Sequence, residues 1–94
     1  MKAYKHLVKS ALKHGHTVCV WDGEAWAERE STSQKAIFAA IESVEEAEIR
    51  VCDADGILVG WALIVPFGLE DDETVVDASG LKFWDHHSTV NFGL

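Results

Sequence analysis

The sequence predicts an α+β fold on three observations: two amphipathic stretches at helical spacing, two pairs of apolar runs joined by turns bearing Asp and Gly, and the recurrence of that order along the chain. Residues 1–30 and 31–67 each read as helix, strand, turn, strand. The expected architecture is therefore two αββ units forming a four-stranded, mainly antiparallel sheet with both helices on one face. Residues 68–94, an acidic loop and an aromatic C-terminal segment, are expected to pack on that sheet. Ninety-four residues suit a single domain with one core and no linker.

Tyr4, Leu7, Val8, Ala11 and Leu12 recur at three and four residues, which sets them on one face of a helix, with Gly15 as its C′ residue. Lys5, Lys9 and Lys13 form a stripe on the other side. Like charges at that spacing repel by about 0.2–0.5 kcal/mol per pair, so acid is expected opposite them, from the chain's own body or a second copy. From His16 to Asp22, Val18 and Val20 alternate with Thr17, Cys19 and Trp21. After Asp22-Gly23, a hairpin signal, the run Glu24 to Glu30 carries Trp26 among charges. Ser31 with Gln34 reads as a capping box, and Ala36, Ile37, Ala40, Ile41 and Val44 give a second helix from about Thr32 to Val44.

The stretch EIRVCDADGILVGWALIVPF, residues 48–67, reads as the second hairpin. Its first strand alternates, Ile49 and Val51 against Arg50 and Cys52. Its second strand, Ile57 to Val65, is apolar at odd and even positions alike, the pattern of a strand covered on two faces. With helices over Val18, Val20, Ile49 and Val51, the opposite face presents Trp21, Cys19, Cys52 and one apolar set of that last strand. Such a patch calls for cover. Either the tail supplies it, through Leu81, Phe83, Trp84, Val90 and Phe92, or two copies bury it, with Trp21, Trp61, Phe83 and Trp84 as the contact of a homodimer.

Sixteen Asp and Glu against eight Lys and Arg give a net charge of −8. Residues 1–20 hold four lysines and no acid, so the chain reads as a basic helix on an acidic body. That balance disfavours nucleic acid and anionic membranes as direct ligands and suits a partner with a basic surface. No apolar run is long enough to span a bilayer, and the N-terminus lacks the apolar region of a secretory signal, so a cytoplasmic location is expected. Two cysteines outside any CxxC or Cys/His array read as reduced, half-buried thiols.

Chemistry-bearing clusters are few. His14 and His16, with Asp85, His86 and His87 near the end, are the raw material of a metal site, but their spacing is not a ligand signature and no metal or cofactor is expected. Glu70, Asp71, Asp72 and Glu73 lack the alternation and central Gly of a calcium loop and fit the acidic start of a short helix. Cys19 and Cys52 fall mid-strand, away from any base or phosphate-cradling loop, so the chain does not read as an enzyme. Glu42, Glu45 and Glu46 sit at i, i+3 and i+4 of the second helix with Glu48 just beyond, a spacing near that of backbone phosphates. A domain roughly 30 Å across nevertheless faces about 18 charges on duplex DNA of equal length, more than twice its own.

The sequence-level expectation is a small acidic, non-enzymatic binding protein that docks on a basic, nucleic-acid-binding protein surface. Its contacts would be Glu42, Glu45, Glu46 and Glu48, with Glu70, Asp71, Asp72 and Glu73 as a second patch. Size and charge, without a matching motif, suit inhibitors carried by phages and other mobile elements. The alternatives are a homo-oligomeric structural domain and, behind it, a small metal-dependent enzyme built on the histidines.

Overall fold

The computed structural model describes residues 2–68 and 70–81, residue 72 by its backbone alone. The elements run α1 (Ala3–Lys13), β1 (Thr17–Trp21), β2 (Trp26–Ser31), α2 (Gln34–Glu42), β3 (Ala47–Cys52), β4 (Leu58–Ile64), a 3-10 turn (Asp71–Thr74) and β5 (Val75–Ser79). Helices and hairpins follow the expected order up to Ile64. The sheet then gains a fifth strand, in the order β2-β1-β3-β4-β5 with every neighbouring pair antiparallel. The expectation of four strands is corrected by β5, and the plan of two αββ units is matched in part. Val75–Ser79 is too short and too interrupted by Asp77 to announce itself. What makes it a strand is the free edge of β4, which pairs Trp61 with Ser79, Ala62 with Ala78 and Ile64 with Val75.

Local chemistry explains where the helices end. After α1, Gly15 takes φ +78°, the left-handed conformation a C′ glycine adopts without strain. The second helix starts later than the capping box implied. Ser31 is held in β2 opposite Val18, and it is Ser33 whose Oγ accepts the Ala36 N–H at 3.2 Å. It also ends earlier, at Glu42, where the Ser43 hydroxyl donates to the Ala40 carbonyl at 2.7 Å. Glu45 and Glu46 therefore leave the helix face expected of them and lie in the loop between α2 and β3.

Both helices cover one face of the sheet. Tyr4, Leu7, Val8 and Ala11 of α1 and Ile37 and Ile41 of α2 share a core with Val18, Val20, Ile49, Val51, Ala62 and Ile64, all fully buried. The rings of Tyr4 and Phe38 meet edge-on at 5.9 Å between the helices. Lys5 lies over the Phe38 ring and approaches Glu42 at 3.9 Å, so the acid expected opposite this lysine comes from the chain itself.

The fully buried Thr74 ties the start of α1 to the 3-10 turn. Its Oγ1 accepts the Tyr4 N–H at 3.1 Å and donates to the Asp71 carbonyl at 2.9 Å. Thr74→Val keeps the shape and strands a buried donor, which should cost about 1–3 kcal/mol. The expected reading is a lower urea midpoint at unchanged slope, with Thr74→Ser recovering part of the loss; an unchanged midpoint in Thr74→Val would show the tie to be idle.

The opposite face is the half-open one. Thr17, Cys19, Trp21, Glu48, Cys52, Val59, Trp61 and Leu63 are all half-buried, alternating with the core positions along each strand. The strand read as covered on two faces is fully covered on its helix side alone, and its first residues, Ile57 and Leu58, are 63% and 54% exposed at the hairpin. Leu81 is buried in the helix-side core. Phe83, Trp84, Val90 and Phe92, the rest of the segment expected to pack on the sheet, lie outside the described residues.

Candidate functional site

Strand directions sort the chain's acids. Because all neighbouring strands are antiparallel, β1 and β4 finish at the end of the sheet where β2, β3 and β5 begin. The 22–25 turn, the α2–β3 loop and the segment joining β4 to β5 therefore meet at one end. Glu45 and Glu46 in the loop and Glu48, the second residue of β3, come to the same end as Glu70, Asp71, Asp72 and Glu73, which are distant in sequence. Glu42 closes α2 there as well. Glu42, Glu45, Glu46, Glu70, Asp71 and Glu73 are exposed, while Glu48 is half-buried. The 3-10 turn at Asp71–Thr74 agrees with the short helix start read from these acids.

The tryptophans stand on the open face beside this acidic end. Trp21 pairs with Glu48 across the β1–β3 ladder, Glu48 pairs with Leu63, and Trp21 also faces Trp26 on β2. The two indoles meet edge-on, with centroids 5.1 Å apart. Arg50, one row further along β3, sets its guanidinium 5.2 Å from the Trp26 ring while its Nε donates to Glu48 Oε2 at 3.2 Å. Trp61 is Arg50's Cα partner on β4. Among the named contact residues, Trp21 and Trp61 thus share one face, whereas Phe83 and Trp84 lie outside the described residues. Trp26 and Arg50 are not among the contact residues expected from the sequence. The signal that finds them is register, which places them in adjacent rows only once β1 is known to pair with both β2 and β3.

The Asp22 carboxylate shapes the turn at this end. Its Oδ1 accepts the Ala25 N–H at 2.8 Å and the Glu24 N–H at 2.9 Å, and these two donors, Ala25 first, hold its carboxyl below the usual range.

At the other end, Cys19 and Cys52 prove to be diagonal neighbours on the open face, since Cys19 pairs with Arg50 and Cys52 with Thr17. Burial first, then the proximity of Cys19 and the negative charges of Glu30 and Asp53, pushes the Cys52 thiol above its ordinary pKa. That is the reverse of what a nucleophilic cysteine needs. The Cys19 sulfur accepts the Glu30 N–H at 3.2 Å, and Glu30 takes a left-handed φ of +44° in the irregular β1–β2 pairing. Inside the core, burial and then the nearby Glu42 carboxylate hold Tyr4 in its protonated form, although the buried hydroxyl closes no hydrogen bond among the described residues.

The rings of His14 and His16 stack at 6.1 Å, and His14 Nδ1 donates to the Ser10 carbonyl. Among the described residues, no three of His, Cys, Asp and Glu gather closely enough to hold a metal ion. Asp85, His86 and His87 lie outside them. Nor is any described helix long and apolar enough to cross a membrane. In comparisons with known proteins, the chain matches no family model, no curated protein and no solved structure.

Proposed function

We propose that this chain is a non-enzymatic binding protein whose acidic end docks on a basic protein surface, such as the nucleic-acid-binding face of another protein. One observation carries the reading: two acidic patches far apart in sequence lie at the same end of the sheet, one of them beside a tryptophan pair. Repelling charges are not gathered for stability. With a net −8 they raise the negative potential at one end, which steers a cationic partner and speeds encounter. The neighbouring indoles supply the desolvated contact area on which interface affinity concentrates.

Reversing Glu42, Glu45 and Glu46 to lysine together tests it. All three are exposed, so the domain should stay folded, apart from a small loss where Glu42 meets Lys5. Capture of a partner from lysate by the tagged chain should fall, and with the native chain it should weaken as salt rises toward about 0.5 M through screening. Capture that is indifferent both to the reversal and to salt would overturn the reading.

A homodimer remains the second reading, favoured by the half-buried Trp21 and Trp61 on the open face. Sedimentation across a hundredfold concentration range separates the two, since a strict monomer rules the dimer out.

A further inference from the structure

At the acidic end of the open face, Trp21, Glu48 and Leu63 stand side by side on three neighbouring strands. With Gly23, Glu46 and Ala47 they line an open cavity of about 220 Å³, the scale of one long side chain. An indole and an aliphatic side chain form walls, two carboxylates supply charge, and among the described residues no Lys or Arg lines it. At Gly23, φ +103° disfavours a side chain, and among the described residues nothing lies within 4 Å of where a Cβ would stand.

The surface already holds one guanidinium in the next row. Arg50 rests on Trp26 and donates to Glu48, using an aromatic face and a carboxylate together. The cavity repeats those two elements with Trp21 and Glu46, and Glu48 lines it as well. Apolar walls lower the local dielectric and strengthen the attraction between the carboxylates and a cation between them. A guanidinium suits such walls better than an ammonium does, because it is planar, weakly hydrated and able to stack while it donates.

We propose that this cavity is a slot for a single arginine side chain presented by a basic protein partner, an inference that rests on the docking reading above. The guanidinium stacks on Trp21 and donates to Glu46 and Glu48, and its aliphatic stem lies along Leu63. Glu46 is the residue that gives the slot its specificity. It is exposed, lies in a loop and lines the cavity, whereas Glu48 is already engaged by Arg50.

The test titrates the folded chain with a blocked peptide of alternating arginine and glycine at low salt, following the tryptophan indole N–H resonances, with Trp21 assigned through Trp21→Phe. Saturable movement of the Trp21 indole is expected. Glu46→Gln should weaken binding about tenfold, Asp55→Asn, exposed in the β3–β4 turn at the far end of the sheet, by less than twofold, and the lysine–glycine peptide should bind several-fold more weakly than the arginine one. If the arginine peptide binds while Trp21 stays still and Glu46→Gln costs no more than Asp55→Asn, the slot falls, and the acidic-end reading is left to the partner-capture test. Equal binding of the lysine peptide would overturn the choice of arginine. Absence of any binding at low salt would overturn the slot outright, while partner capture by the native chain and its Glu42, Glu45 and Glu46 reversal decides the docking reading separately.

Discussion

Gly60→Ala should destabilise the domain by about 2–3 kcal/mol, the cost of forcing a methyl group into a filled site. A Cβ at residue 60 would stand 2.3 Å from the Ser79 carbonyl oxygen, 2.8 Å from the Gly80 carbonyl carbon and 2.8 Å from Leu81 Cδ2. Two of those three atoms are backbone, so relief requires the end of β5 to move away from β4. The strain is wholly contact, because Gly60 has no left-handed φ of the kind that disfavours a side chain by itself. At roughly 4–8 °C per kcal/mol for a domain of this size, the melting temperature should drop by about 10–20 °C. Hydrogen exchange should show the loss concentrated in amides of the β4–β5 ladder. A variant that melts within about 2 °C of the parent would mean that β5 and Leu81 do not hold the positions that make glycine necessary.

Ile49→Ala should cost about 3–4 kcal/mol, within the range for emptying a buried isoleucine site. Ile49 is fully buried on the central strand, paired with Val20 on one side and Ala62 on the other, beneath both helices. Neighbours held on two ladders cannot collapse into the space, so most of the cavity persists. Against a total stability of about 5–15 kcal/mol, that is between about a fifth and four-fifths of the margin. The control is Ile57→Ala, the same chemistry at a residue 63% exposed, which should fall within about 0.5 kcal/mol of the parent. Urea unfolding of the pair reads the difference, and similar midpoints for both would contradict the placement of the core.

The division between sequence and structure runs along the range of the interactions involved. Gly15, Asp22-Gly23 and Asp53 to Gly56 act within a few residues, and so the end of α1 and both hairpins could be read directly. Hydrogen bonds to Asp53 Oδ1 from the Asp55 and Ile57 N–H groups, with Gly56 at φ +81°, show the second turn made by the residues that announced it. The α2 boundaries moved for a subtler reason. Ser31 and Ser33 are both competent caps, and pairing of Ser31 with Val18 leaves the role to Ser33. At the other end, Ser43 bonds the Ala40 carbonyl and the helix stops at Glu42, which leaves Glu45 and Glu46 off the helix and in the loop that lines the cavity.

By itself, then, the sequence determined the fold class, the two helices, the two hairpins and the faces that β1 and β3 turn to the core, because those follow from 3.6- and 2-residue periods and from turn chemistry. Only the tertiary structure decided the fifth strand, the β1–β3 junction, the neighbouring of Cys19 with Cys52, and the placing of two acidic patches at the end of the sheet where Trp21 stands. Each of these depends on which strand edges pair. Edge pairing is settled by backbone hydrogen bonds between segments far apart in the chain, and backbone groups are alike at nearly every position, so no local pattern of side chains encodes it.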